Sequence, residues 1–135
     1  MIRPQATTLL LEKSERALRS ARILLEIGDF EGTCNRAYYA MFDAAKAALV
    51  AAGSHAPGRT PKTHSGLMHA FGESIVKAGR LPEEAGRHFK LAERLRLAAD
   101  YQEAPIAAQD VAELMKNAEA FVAAVRGTLP GASER

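Results

Sequence analysis

FEGTCNRAYYAMFDAAKAALVAA, residues 30–52, is the stretch from which the fold is read. Phe30, Cys34, Ala37, Met41, Ala44, Ala48 and Ala52 recur at intervals of three and four, the spacing of one helix face. Asp29 stands before the run as an N-cap and Gly53 stops it. The pattern predicts a helix from about Phe30 to Ala52. Its abundant alanine is the best helix former and lets neighbouring helices approach closely.

The same periodicity continues outward in both directions. Upstream, Leu11, Ala17, Leu18, Ala21, Leu24 and Leu25 make an amphipathic helix closed by Gly28. Glu12–Arg16 and Glu15–Arg19 are expected as i,i+4 ion pairs on its outer side. Downstream, residues 53–61 form a loop by composition. Thr60 followed by Pro61 predicts an N-cap and first helical residue. Leu67, Phe71, Ile75 and Ala78 then describe a third helix, closed by Gly79. Pro82, Glu83 and Glu84 open a fourth, with Ala85, Phe89, Ala92, Leu95 and Ala99 on its buried face. Pro105 interrupts the chain, and Val111, Leu114, Ala118, Phe121, Val122 and Val125 define a fifth helix ended by Gly127. The tail after Pro130 is expected to fray. Strand alternation and internal repeats are absent from the pattern. An all-α fold follows: an up-and-down bundle of four to five antiparallel helices. One domain over 1–135, with an ordered core of about 8–127, is expected.

A chain of 135 residues with 47% hydrophobic content can bury a core of its own. A net charge of +2 does not announce a nucleic-acid binder, although a local basic face would escape this measure. Cys34 is the sole cysteine, so no internal disulfide forms. Apolar stretches are too short to span a bilayer, and the first residues lack a signal-peptide layout. A cytoplasmic protein without membrane partners is expected.

Within the central stretch, Asn35, Arg36, Tyr39 and Asp43 interrupt an otherwise apolar helix. Arg36 and Asp43 are seven residues apart, about two turns, and project from one side roughly 10 Å apart. Spacing alone favours an exposed pair on a solvated face over a site. Later, Arg96 and Asp100 stand at i,i+4 and are suited to an ion pair. Arg87, Lys90 and Arg94 form a basic stripe, either a solvated face or a phosphate-contacting strip. His64 and Ser65 open the third helix, where capping or loop anchoring suits them better than catalysis. His55 falls in a loop and His88 on the fourth helix, while Cys34 lies on an apolar stripe. His64 and His69 are five apart, a poor spacing for a shared metal. HExxH, GxGxxG and the P-loop are missing, so neither metal nor cofactor is expected.

Together these segments resemble one branch of the HEPN superfamily. The carrying residues are Asn-Arg-Ala-Tyr-Tyr-Ala-Met-Phe at 35–42, Pro-Lys-Thr-His-Ser at 61–65, Arg96 with Ala-Asp-Tyr at 99–101, and Ala118-Glu-Ala-Phe121-Val. The resemblance implies a bundle that is usually homodimeric. It also implies a frequent genetic partner, a minimal nucleotidyltransferase, in toxin–antitoxin modules. Active members are metal-independent endoribonucleases whose motif is an arginine, four to six arbitrary residues and a histidine, two copies meeting across the dimer. Arg36 matches the arginine, but Asp43 occupies the histidine position. A histidine exchanges protons at pH 7, whereas an unperturbed aspartate is ionised and only accepts. Arg36 beside it is expected to hold it ionised more firmly.

Three readings follow: a nucleotide- or RNA-associated binding or regulatory protein with a nucleotidyltransferase partner, an endoribonuclease toxin using Arg36, or a structural helical dimer. In the first, Asn35, Arg36, Tyr39 and His64 contact the ligand. In the second, Arg36 and Asp43 are catalytic. In all three, Arg96, Asp100 and Tyr101 support the structure.

Overall fold

The computed structural model describes residues 5–101 and 105–129 of the chain. In order come α1 (Gln5–Glu26), α2 (Phe30–Ala51), α3 (His64–Phe71), a π-helical turn (Gly72–Val76), α4 (Glu83–Tyr101) and α5 (Ala108–Gly127). No strand occurs among the described residues. The fold is therefore the all-α bundle that the periodicity predicts. The tail after Pro130 lies outside the described residues. No described helix is long and apolar enough to cross a membrane.

The turn from α1 to α2 forms for the local reasons anticipated. Gly28 takes φ +81°, a conformation that a side chain would strain, and its N–H donates to the Leu25 carbonyl at 3.1 Å. The Asp29 carboxylate accepts from the Gly32 N–H at 2.9 Å and caps α2.

The third helix departs from expectation at both ends. Its cap is Thr63, not Thr60: Thr63 has extended backbone, and its hydroxyl accepts from the Gly66 N–H at 3.0 Å. That extended residue keeps Pro61 outside the helix, and a proline spacing cannot register it. At the other end the helix widens. Lys77 N–H reaches the Gly72 carbonyl at 2.9 Å, one residue further than in an α-helix. The extra residue keeps Phe71 and Ile75 buried but turns Ala78 out to solvent, so Ala78 does not join the core. Glu15 also differs from expectation. It pairs with Arg126 of α5 rather than with Arg19, and a second bridge joins Arg22 to Glu119. Long-range packing of α1 on α5 brings these partners closer than the helix's own turns do.

α2 runs through the centre and packs against α1, α4 and α5. Its contact positions Ala37, Ala40, Ala44, Ala45 and Ala47 are fully buried. On α1, the buried Ser14 hydroxyl donates to the Ala40 carbonyl at 2.7 Å, satisfying a group the small interface would otherwise strand. Phe71, Phe89 and Phe121 meet with ring centroids 5.3–5.7 Å apart and tie α3, α4 and α5 together. Tyr38 of α2 stacks on Phe89 at 5.8 Å.

Phe89→Ala removes the ring shared by three of these four contacts and is expected to cost about 3–5 kcal/mol in urea unfolding. Leu91→Ala, on the exposed side of α4, is expected to cost about 0.5 kcal/mol or less in the same measurement.

Candidate functional site

Among the described residues the backbones of α1 and α4 do not approach each other closely, and the strip of α2 between them is where its polar residues emerge. Asn35, Arg36, Tyr39 and Lys46 are half-buried there. A pocket of about 250 Å³ opens on the strip, lined by Arg36, Tyr39, Phe42, Asp43 and Lys46 of α2 with Lys13 and Ala17 of α1. Arg36 and Asp43 thus share one pocket, as a two-turn spacing on one helix side allows. The solvated-face alternative holds for neither. Asp43 is only 5% exposed, and Lys13 and Ala17 of α1 line the pocket with it, a proximity invisible in the spacing of α2.

Three cations face this pocket and one carboxyl lies beneath them. The Arg36 Nε donates to the Asn35 side-chain oxygen at 3.1 Å, and its guanidinium lies 5.6 Å from the Tyr39 ring centroid. Lys46 places its ammonium 4.8 Å over Phe42. Asp43 makes no ion pair within 4.0 Å among the described residues. Burial raises its pKa above the usual aspartate value. The positive charges of Lys13, Lys46 and Arg36 pull it down but do not prevail. The expectation that Arg36 would hold Asp43 more firmly ionised is therefore overturned: desolvation is the larger effect. The site consists of one reluctant anion below three cations whose charge is not fully matched.

Behind the strip lies an anchor that sequence reasoning saw only in part. The Tyr38 hydroxyl and His64 Nδ1 share a 2.7 Å hydrogen bond, fastening the start of α3 to α2. His64 also lies within 5.9 Å of the Tyr39 and Phe42 rings. Capping belongs to Thr63, so His64 anchors the loop by its ring. Burial pushes the Tyr38 phenol well above the ordinary tyrosine range, Glu93 adding to the effect, which removes it as a base. Cys34, fully buried, is pushed up to about 11 by the same cause and is inert as a nucleophile.

Arg96 is 9% exposed, with its guanidinium 4.9 Å from the Tyr38 ring centroid and 5.9 Å from that of Tyr39. It also reaches Asp100 at 3.3 Å. Asp100 itself is exposed, so solvent screens that pair. Tyr101 stands 78% exposed at the end of α4 and packs into no core. No group of three or more His, Cys, Asp or Glu side chains suited to a metal occurs among the described residues. Lys13, Lys46 and the Tyr38–His64 bond were missed in the sequence. Only Lys46, at i+3 from Asp43, left any signal there.

Two stability measurements check this electrostatic picture. Asp43 has a folded pKa above its unfolded one, so the folded state binds the proton more tightly between the two values. Its charge therefore destabilises the fold at neutral pH, and the penalty fades as pH falls toward the ordinary carboxyl range. Asp43→Asn is expected to raise the melting temperature at pH 7, with the gain shrinking toward pH 4. A lower melting temperature at pH 7 would contradict it. Asp100→Ala, which removes the screened partner, is expected to cost about 1 kcal/mol or less. The cost of breaking a fully buried pair, about 3 kcal/mol or more, does not apply.

Comparisons with known proteins add a lineage to this geometry. A UPF0332 protein of Gloeobacter violaceus is 41% identical over 92 residues, covering 68% of this chain and 69% of that one. A protein of Methanocaldococcus jannaschii named as a putative toxin is 32% identical over 120 residues, 89% of this chain and 86% of its own. A UPF0332 protein of Archaeoglobus fulgidus is 34% identical over 115 residues, 84% and 87% of the two chains. The HEPN domain model matches residues 7–128, which takes in every helix that positions the pocket, and the chain belongs to that family.

Proposed function

We propose that the chain is a phosphate-recognising HEPN protein of a toxin–antitoxin type module, binding RNA or a nucleotide at the α2 strip. The observation that carries this reading is the pocket with three cations above one desolvated carboxyl. A phosphate supplies the negative charge that Asp43 provides only reluctantly. Arg36 offers a rigid fork of donors, and Lys13 and Lys46 add point charges. Tyr39 beside them presents a ring face on which a base can stack. The family and its relatives named as toxins support such a role. In this reading the protein works in the cytoplasm as a homodimer, with a nucleotidyltransferase-family protein as its partner. The gap between α1 and α4 leaves the strip open to a second copy.

A second reading, the metal-independent endoribonuclease, gains support from the raised pKa of Asp43. A desolvated carboxyl moves toward the proton-donating state that the missing histidine would supply. Entry of a phosphate would push it further the same way. Asp43 nevertheless sits below the rim of the pocket, and Tyr38 is too weak an acid to share the work.

Binding of a short single-stranded RNA, read by fluorescence anisotropy, is expected to weaken about 10- to 100-fold in Arg36→Ala, the worth of charged hydrogen bonds to phosphate. Lys13→Ala and Lys46→Ala are expected to reduce the salt dependence of binding, by about one unit of slope each at most. Assayed with chelator present, the natural chain is expected to cleave RNA little or not at all. Robust cleavage abolished by Arg36→Ala would instead establish the nuclease. Light scattering is expected to give a dimer at micromolar concentration, and a monomer there would remove the homodimer from the proposal.

A further inference from the structure

A concavity larger than the α2 pocket lies elsewhere on the molecule. A groove of about 760 Å³ runs between α3 with its π turn on one side and α4 on the other. Its floor is apolar: Met68 and Val76 are half-buried there, with Phe71 and Phe89 beneath. Two glycines deepen it. A side chain added at Gly72 would meet nothing within 4 Å, and one at Gly86 would only touch Val76 at 3.6 Å. The π turn contributes as well, because its extra residue carries Glu73 and Lys77 outward along the rim.

The α4 wall carries an ordered charge pattern. Glu83, Arg87, Lys90 and Arg94 fall at i, i+4, i+7 and i+11, one stripe along the helix, and all four line the groove. Arg87, Lys90 and Arg94 are exposed and make no ion pair among the described residues. The cations cover about 10 Å of helix axis. Across the groove, Glu73 and Lys77 are already paired at 2.8 Å. A phosphate backbone would leave the apolar floor of this surface unused. A segment carrying both an apolar stripe and a row of acids matches floor and wall together.

We propose that this groove is a docking site for an acidic amphipathic helix of a partner protein. Its apolar side chains lie over Met68, Val76 and the two glycines. Three of its carboxylates, at helical spacing, pair with Arg87, Lys90 and Arg94, and the acid at Glu83 sets its direction. The site is separate from the α2 strip: none of its lining residues is shared with the Arg36 pocket.

The test uses the full chain and a labelled synthetic helical peptide of about 16 residues, roughly four turns, with a leucine stripe flanked by three glutamates. Anisotropy is expected to show saturable binding. The charge reversal Arg87→Glu with Lys90→Glu and Arg94→Glu should weaken it about tenfold or more, the combined worth of three exposed pairs. Gly72→Leu should also abolish or weaken binding by filling the groove, and circular dichroism should show that it folds. A peptide with lysines in place of the glutamates should bind the charge-reversed protein better than the natural one. Arg36→Ala should leave peptide affinity unchanged, so the result stands or falls apart from the RNA site. Absence of saturable peptide binding overturns the proposal. So does loss of RNA binding, without loss of peptide binding, in the charge-reversed protein, which would make the wall a phosphate track.

Discussion

Close approach of α1, α4 and α5 to a single central helix governs the rest of the structure. Packed helices stand about 8–10 Å apart, nearer where the contact side chains are small, and fitting three of them around one favours small residues on most of its circumference. α2 meets that need with fully buried alanines at 37, 40, 44, 45 and 47. Large side chains are confined to positions where a partner leaves room, such as Tyr38 against Phe89 and Met41 in the core. Such packing also buries hydroxyls, and each finds an acceptor. Ser14 donates to the Ala40 carbonyl, and Thr33 donates within its own turn to the Asp29 carbonyl at 2.8 Å. What remains of α2 is a strip between two helices whose backbones stay apart among the described residues, and its polar side chains emerge there.

The same constraint fixes where the tyrosines of the strip stand. Tyr38 and Tyr39 are neighbours in sequence but differ in environment: the first is fully buried, the second half-open. Tyr38 is held by His64, Phe89 and Arg96, which belong to two other helices. Its ring stacks edge-on to Tyr39 at 5.1 Å. The open tyrosine therefore inherits its position from the closed one. The buried guanidinium of Arg96 is stabilised chiefly by ring faces, since its carboxylate partner lies in solvent. Arg96 thus belongs to the support of the site rather than to its open surface.

Much of this was legible in the sequence, for local reasons. The helices follow from apolar periodicity, and Asp29 and Gly28 mark their boundary because capping involves residues only a few positions apart. The third helix was misjudged where two local signals competed. Thr60-Pro61 resembles a start as much as Thr63 does, and a π turn differs from an α turn by one hydrogen-bond step that periodicity does not detect. The site was half legible. Arg36, Tyr39 and Asp43 share a side of one helix, and that geometry is written in their spacing. The burial of Asp43 is not, since it depends on how α1, distant in sequence, packs on α2.

That burial reverses the sense of the substitution at the family's histidine position. Read from the chain, an aspartate there is a permanent negative charge that opposes a phosphate. In the fold, the same carboxyl is desolvated, and the cations that might have fixed its charge are too far away to form ion pairs with it. A phosphate near Arg36 would compete with Asp43 for those cations, and each step toward pairing with the ligand weakens their hold on the carboxyl. Ligand binding and protonation of Asp43 are therefore coupled with the same sign. An aspartate in water beside an arginine would show this coupling only weakly, because solvent screens the phosphate. A histidine would show it with the same sign, since an anion favours the protonated form of either group; the difference is that the proton leaves a carboxyl neutral and an imidazole charged.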